Sequence, residues 1–235
     1  MGTFWGPEKL NSAAFVELVA RIDARLEVAA ILRLLVGMKD VVDVGGGTGF
    51  LTQRIAERAH VTVIEPSIEQ RARMPAGIEV RAGRAEALPV SDRAVDAAIA
   101  TWVLQYCDGP LRAVDEMARV ARRCVLIVQA APRNDLVDIY NLEAGVAGLA
   151  KADHTWLLEE AAERLRLAGY ETQVEHVTIP VRVGEPRAMA DVLSRLHFAG
   201  HPLRDEMMAA TEPYIRTRGS KLGDDGAVLV GYRRE

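Results

Sequence analysis

The residues best placed to do chemistry form a glycine-rich run, DVGGGTGF, which extends from Asp43 to Phe50. The run follows a short apolar segment and precedes a segment of helical periodicity. Glycines let the backbone turn sharply and come within contact distance of a ligand, and the helix N-terminus behind them presents free N–H groups. Because ligands of open α/β sheets bind at the carboxyl ends of the strands, the run predicts a ligand-binding loop.

Two classes of nucleotide ligand compete for this loop. A dinucleotide site has the pattern G-x-G-x-x-G, but Phe50 stands where its third glycine would be. The glycines fall instead at alternate positions, Gly45, Gly47 and Gly49, two residues after Asp43. Glu65 ends the next apolar run, where a carboxylate can accept hydrogen bonds from both ribose hydroxyls. Glu65 therefore indicates an adenosine ligand without choosing between the two classes.

Five side chains are candidates for a general base: His154, His197, His201, Tyr106 and Tyr140. Histidine titrates near neutral pH, which suits acid–base catalysis. The structural alternatives stay open, because His154 stands at a predicted helix start, His197 on an apolar helical face and His201 in a turn. The histidines and the two cysteines show no metal-ligand spacing, so we expect no metal site.

Composition narrows the range of partners. The 235 residues are 49% hydrophobic and 26% charged, which is typical of a globular protein. The net charge of −4 gives no reason to expect nucleic acid or an anionic membrane as partner. The most apolar early segment, residues 28–38, is too short to span a bilayer. Cys107 and Cys124 fit reduced thiols, so we expect a cytoplasmic protein.

Short β-branched runs alternate with helical segments from residue 41 onward, which predicts an α/β fold with a parallel sheet. The predicted strands are Val41–Gly45, Val61–Glu65, Ile78–Ala82, Val95–Thr101, Cys124–Ala130, Tyr170–Val183 and Ala227–Tyr232. Later predicted helices are Trp156–Ala168, Pro186–Phe198 and Leu203–Arg216. An amphipathic stripe also precedes the first strand, at Phe15, Leu18, Val19, Ile22 and Leu26.

Four further blocks carry a family resemblance. They are GRAEALP at residues 83–89, Val95-Asp96, Leu104-Gln105-Tyr106 and the segment 113–120 with Glu116, Ala118 and Arg119. Together with the glycine loop they resemble, over residues 41–132, the small-molecule subgroup of class I S-adenosylmethionine-dependent methyltransferases. The ubiquinone and menaquinone methyltransferases typify that subgroup. The resemblance implies a Rossmann-like seven-stranded sheet with its last strand antiparallel and S-adenosyl-L-methionine as cofactor. The continuous apolar strands predict helices on both faces, and the segments outside the α/β alternation predict helical lid insertions.

The same resemblance assigns roles to individual residues. It places Asp43 near the methionine part of the cofactor and the three glycines beneath the adenosine. It places Thr101 and Trp102 so that they face the cofactor or the acceptor. Arg84 stands where the family often has an acid that contacts adenine, so the backbone groups of Arg84 and Ala85 could serve instead.

These observations predict one methyltransferase domain over residues 1–235. Residues 41–132 form its cofactor-binding core, residues 1–40 an N-terminal helical lid, and residues 133–152 and 185–225 insertions around an acceptor chamber. We expect methylation of a small organic molecule at O or N, in specialised natural-product biosynthesis. A lyase, a pericyclic catalyst or a binding subunit that holds the cofactor without transferring methyl is the alternative. Phe50 disfavours a dehydrogenase, and the choice between monomer and homodimer stays open.

Overall fold

The computed structural model describes residues 11–152 and 155–233, and these residues fall into two compact units. The first, here called the sheet unit, comprises the described residues 28–129, 155–176 and 227–233. The second, here called the helical unit, comprises the described residues 11–27, 130–152 and 177–226.

The sheet unit contains a seven-stranded sheet in the order β3-β2-β1-β4-β5-β7-β6. The strands are β1 Asp40–Val44, β2 His60–Ile64, β3 Glu79–Arg81, β4 Val95–Thr101, β5 Ala121–Ala130, β6 Tyr170–Val177 and β7 Gly226–Arg233. The first five pair in parallel, and the last is antiparallel, as the sequence predicted. Asp43 is paired with Val63 on one side and Ile99 on the other, so it lies in the middle of the sheet.

Helices cover this sheet. They are α2 Arg25–Leu34, α3 Phe50–Ala56, α4 Ile68–Ala72, α5 Pro110–Val120 and α7 Thr155–Leu167. Helix α5 begins with Pro110, a residue suited to the first helical position because its missing N–H needs no partner there. It packs against β4 and α7. Where α5 meets β5, the buried Tyr170 hydroxyl donates to the carbonyl oxygens of Ala118 and Ala121.

The helical unit is built from α1 Ser12–Val19, α6 Asp135–Val146, α8 Pro186–Phe198 and α9 Arg204–Arg218, followed by a 3₁₀ turn at Gly219–Lys221. Helix α8 packs against α1, α6 and α9. Its buried side chains, including Met189 and Leu193, form one apolar cluster with Ile139 of α6 and Ile215 of α9. This cluster gives the helical unit an apolar core of its own.

Two predicted elements end earlier than expected. The strand predicted for Tyr170–Val183 ends at Val177, and beyond it Pro180 and Val181 make only isolated bridges, to Gly223 and Ile22. Proline cannot donate to a ladder of hydrogen bonds, so the break has a physical cause. The N-terminal stripe is divided between α1 and α2, and the side chain of its last member, Leu26, is exposed.

The helical unit brings together most of the three segments predicted as lid and acceptor chamber. Residues 28–40, which were predicted to belong to the lid, lie in the sheet unit instead. The assignment of the whole chain to a single methyltransferase domain stays a prediction. In the part of the chain that the structure describes, no helix is long and apolar enough to span a membrane.

Candidate functional site

The glycine loop connects the carboxyl end of β1 to α3. Its three alternating glycines all have left-handed backbone angles, with φ of +69° at Gly45, +58° at Gly47 and +80° at Gly49. A Cβ atom at Gly45 would lie 2.7 Å from a methyl group of Val103, so glycine is required there by close approach. A Cβ atom at Gly47 would meet nothing within 4 Å. The backbone of Gly47 therefore faces open space, which a ligand can enter.

Asp43 is a deeply buried acid at this end of β1, with 1% of its surface exposed. The hydroxyl of Thr52 in α3 donates to its Oδ2 at 2.6 Å, while Oδ1 has no hydrogen-bond partner. Burial raises the pKa of Asp43 to about 6, the Thr52 hydroxyl opposes this rise, and the charge of Glu65 adds to it. At neutral pH the site thus holds a carboxylate with one free oxygen, and a ligand donor or cation would stabilise it.

Glu65 follows β2 directly and is also buried. Its two carboxylate oxygens accept hydrogen bonds from the backbone N–H groups of Gly47, at 3.1 Å, and Ser67, at 2.9 Å. Burial raises the pKa of Glu65, while these two N–H groups and the charge of Arg71 oppose the rise. Each carboxylate oxygen has a further lone pair, so Glu65 can still accept from ribose hydroxyls.

The loop after β3 holds the two residues predicted to contact adenine. Arg84 forms a bridge with Ala87, and its guanidinium lies 2.8 Å from Asp108 and 3.5 Å from Glu86. Ala85 is buried. Because its side chain is engaged by two acids, Arg84 can offer a ligand its backbone groups more readily than its charge.

The segment after β4 carries the next predicted contacts. Thr101 is the last residue of β4, and Trp102 follows with a φ of +59°, which is rare for a residue other than glycine. The N–H of Trp102 donates to the carbonyl oxygen of Val128. Strained backbone of this kind is concentrated at functional sites, which supports a ligand-facing role for Trp102. Tyr106 lies in the 3₁₀ turn Leu104–Tyr106.

The predicted bases lie in different parts of the chain. Tyr106 belongs to the sheet unit, and His197 and His201 belong to the helical unit, while His154 lies outside the described residues. The rings of His197 and Tyr140 have their centroids 5.0 Å apart. Burial lowers the pKa of His197 to about 4, so its imidazole is neutral at physiological pH. The Nδ1 atom of His201 accepts from the N–H of Leu203.

Two buried residues of interest were missed at the sequence level. The Thr52 partner of Asp43 lies nine positions along the chain, a distance that no motif of the loop indicates. Glu143 of α6 is 1% exposed, and its Oε1 atom has no hydrogen-bond partner. A sequence signal for Glu143 did exist, because it continues the helical stripe of Leu136, Ile139 and Tyr140 at a position that should be apolar.

No group of three or more histidine, cysteine or acidic side chains could hold a metal ion within residues 11–152 and 155–233. Both cysteines are buried and unpaired. Burial raises the pKa of Cys107 and of Cys124 to about 12, so neither thiol is a nucleophile at neutral pH.

Comparison with known proteins links the region that contains the glycine loop to a protein family. The sequence profile of a family described as "Methyltransferase domain" matches residues 42–128. An uncharacterised methyltransferase of Mycobacterium tuberculosis is 39% identical over 87 residues, which are 35% of this chain and 35% of that protein. A 2-methyl-6-phytyl-1,4-hydroquinone methyltransferase of rice is 37% identical over 90 residues, 35% of this chain and 26% of that protein. The match thus spans about a third of these relatives or less.

Solved structures extend the likeness to most of the chain. A protein of Anabaena variabilis, named as a candidate methyltransferase of an antibiotic biosynthesis pathway, superposes with a TM-score of 0.66. The superposition covers 88% of this chain and 96% of that one, at 19% sequence identity. At this identity the likeness establishes the fold alone.

Proposed function

We propose that the chain is a class I S-adenosylmethionine-dependent methyltransferase and that it methylates a small organic molecule at oxygen or nitrogen. One observation carries the proposal: the family match coincides with the glycine loop and with the buried acids Asp43 and Glu65.

The residues of the sheet unit fit this cofactor. The free Oδ1 of Asp43 can accept from the amino group of a methionine moiety, and Glu65 can accept from ribose hydroxyls. The backbone at Gly47 leaves room for close approach, and buried Ala85 adds an apolar contact. When it is bound, the cofactor supplies an activated, positively charged methyl donor.

The protein must then orient the acceptor, exclude water from the site and remove a proton from the acceptor. We assign the acceptor to the helical unit, whose segments 133–152 and 185–225 carry Tyr140, His197 and His201. His197, one of the proposed bases, is neutral at physiological pH, so its imidazole can accept a hydrogen bond from an acceptor hydroxyl or amine group. His154, His201 and Tyr106 are the other proposed bases. The lid role of residues 1–40, the cytoplasmic location and the exclusion of nucleic acid as substrate belong to the same proposal.

The charge of Asp43 provides the test. S-adenosylmethionine is a sulfonium cation and S-adenosylhomocysteine is neutral, so an anion at Asp43 should favour the first. In calorimetric titrations above pH 7, Asp43→Asn should weaken the binding of S-adenosylmethionine about tenfold more than that of S-adenosylhomocysteine.

Asp40→Asn is the matched control, because Asp40 begins the same strand but is half-exposed and pairs with Arg122. It should change neither affinity. Unchanged affinity for both ligands in Asp43→Asn would overturn the assignment of Asp43, and equal losses would limit its role to the amino group that both ligands share. Failure of the wild-type protein to bind either ligand would overturn the proposed function.

A further inference from the structure

Glu143 is a buried carboxyl group that no described residue of the helical unit neutralises. It lies in the interior of α6, where its Oε1 atom is shielded from solvent and has no hydrogen-bond partner. Burial alone raises its pKa to about 8, with no contribution from a neighbouring charge. Burying an acid without a partner costs free energy, and such groups are retained where they meet a ligand or take part in chemistry.

Other buried acids of the helical unit are bonded, which sets Glu143 apart. Asp135 accepts hydrogen bonds from Tyr214, from Arg218 and from the backbone N–H of Gly223. The side-chain amide of Asn134 donates to Asp224. The helical unit therefore supplies hydrogen-bond donors to Asp135 and Asp224, but none of its described residues donates to the Oε1 atom of Glu143.

The aromatic ring of Tyr140 lies one helical turn before Glu143 and contacts further rings. Tyr140 precedes it by three positions, which places the two side chains on the same side of α6. The Tyr140 ring is stacked with Phe198 at 5.9 Å and meets His197 at 5.0 Å. His201 meets Phe198 in turn, at 5.9 Å. A carboxyl group beside aromatic rings is the combination that recognises organic cations, because ring faces and carboxylates both attract positive charge.

We propose that Glu143, Tyr140 and His197 form the acceptor site, and that they bind a small molecule through its amino group. This proposal rests on the proposed function and narrows it to N-methylation. An ionised carboxylate can only accept hydrogen bonds, which matches an ammonium or amine donor. No arginine or lysine among the described residues bonds to Glu143, so the acceptor amine would be its first cationic partner.

Matched pairs of amines and alcohols test the inference. The full chain, saturated with S-adenosylhomocysteine, is titrated with phenethylamine, tyramine and tryptamine, and then with 2-phenylethanol, tyrosol and tryptophol. We expect amine binding at millimolar concentration and at least about tenfold weaker binding of the corresponding alcohols. Glu143→Gln should lose at least about tenfold in amine affinity. Glu206→Gln, the same change at an exposed position of α9, should lose nothing.

A second readout excludes a merely structural role for Glu143. At neutral pH the binding of an ammonium ion should cause Glu143 to release its proton, which the buffer takes up. The measured heat of amine binding should therefore depend on the ionisation enthalpy of the buffer. Glu143→Gln should abolish that dependence while binding S-adenosylhomocysteine normally, which shows that the variant is folded.

The possible failures can be told apart. If S-adenosylhomocysteine binds but no amine does, or if alcohols bind as tightly as amines, the acceptor inference is wrong and the proposed function survives. Amine binding that persists in Glu143→Gln would equally overturn the role of Glu143. If S-adenosylhomocysteine itself does not bind, the proposed function falls, and this inference falls with it.

Discussion

Asp43 in the sheet unit and Glu143 in the helical unit each have only 1% of their surface exposed, and their carboxyl groups are supported differently. In the sheet unit, Asp43 has a hydroxyl donor in Thr52 and a second acid, Glu65, whose charge is sensed across the site. In the helical unit, Glu143 has neither a donor to Oε1 nor a neighbouring charge. The Asp43 carboxylate already has a hydrogen-bond donor before any ligand binds. The Glu143 carboxylate would be stabilised only by a bound ligand, so the stability of the protein should depend more strongly on the protonation of Glu143 than on that of Asp43.

The largest expected effect is on the pH dependence of stability. The pKa of Glu143 is raised from its usual value near 4 to about 8, so its contribution to stability is present at low pH and lost as pH rises through about 8. Between roughly pH 5 and pH 9, Glu143→Gln should therefore gain stability relative to the wild-type protein, by an amount on the order of 3 kcal/mol.

Urea unfolding across that pH range measures the change. The prediction concerns the slope of the unfolding free energy with pH. The glutamine amide can also shift the unfolding free energy, but that shift is the same at every pH. Glu206→Gln should leave the slope as it is in the wild-type protein, since Glu206 is exposed. Parallel pH profiles for Glu143→Gln and the wild-type protein would mean that Glu143 titrates normally.

A smaller effect concerns the backbone of the glycine loop. Gly45 and Gly148 share a φ of +69°, but a Cβ atom would lie 2.7 Å from Val103 at Gly45 and within 4 Å of nothing at Gly148. Alanine should cost about 1 kcal/mol of unfolding free energy at either position. The contact with Val103 should add about 2 kcal/mol at Gly45 alone. Equal losses in denaturant unfolding would show that the loop can move away from Val103.

The smallest effect concerns the proton on Asp43. Since the cation of S-adenosylmethionine favours an ionised Asp43, its affinity should fall as pH drops through about 6. Thr52→Val removes the donor that stabilises the charge, so the midpoint should move up by about one pH unit. Thr211→Val, a matched change at a buried threonine of α9, should not move it. Titrations with S-adenosylmethionine at several pH values measure this midpoint. An unmoved midpoint in Thr52→Val would show that Thr52 does not stabilise the ionised form of Asp43.

The units also differ in how much of them the sequence could predict. The buried strands and the glycine loop follow from local patterns, namely continuous apolar runs and glycines at positions that require left-handed angles. The loop residues and both acids were predicted as ligand contacts, and that assignment stays a prediction. The stripe of α6 indicates that Glu143 is buried, but its lack of a hydrogen-bond partner could not be predicted, because that depends on which helices pack against α6. Beyond the end of β6, Pro180 and Val181 make isolated bridges whose partners the sequence pattern does not identify.

Calorimetric titration of the wild-type chain with S-adenosylhomocysteine tests the central claim most directly. The account predicts one bound molecule per chain, with a heat that the addition of NADH does not change. No heat at millimolar S-adenosylhomocysteine, or its loss in competition with NADH, would contradict the assignment of the glycine loop, Asp43 and Glu65 to a methyltransferase cofactor site.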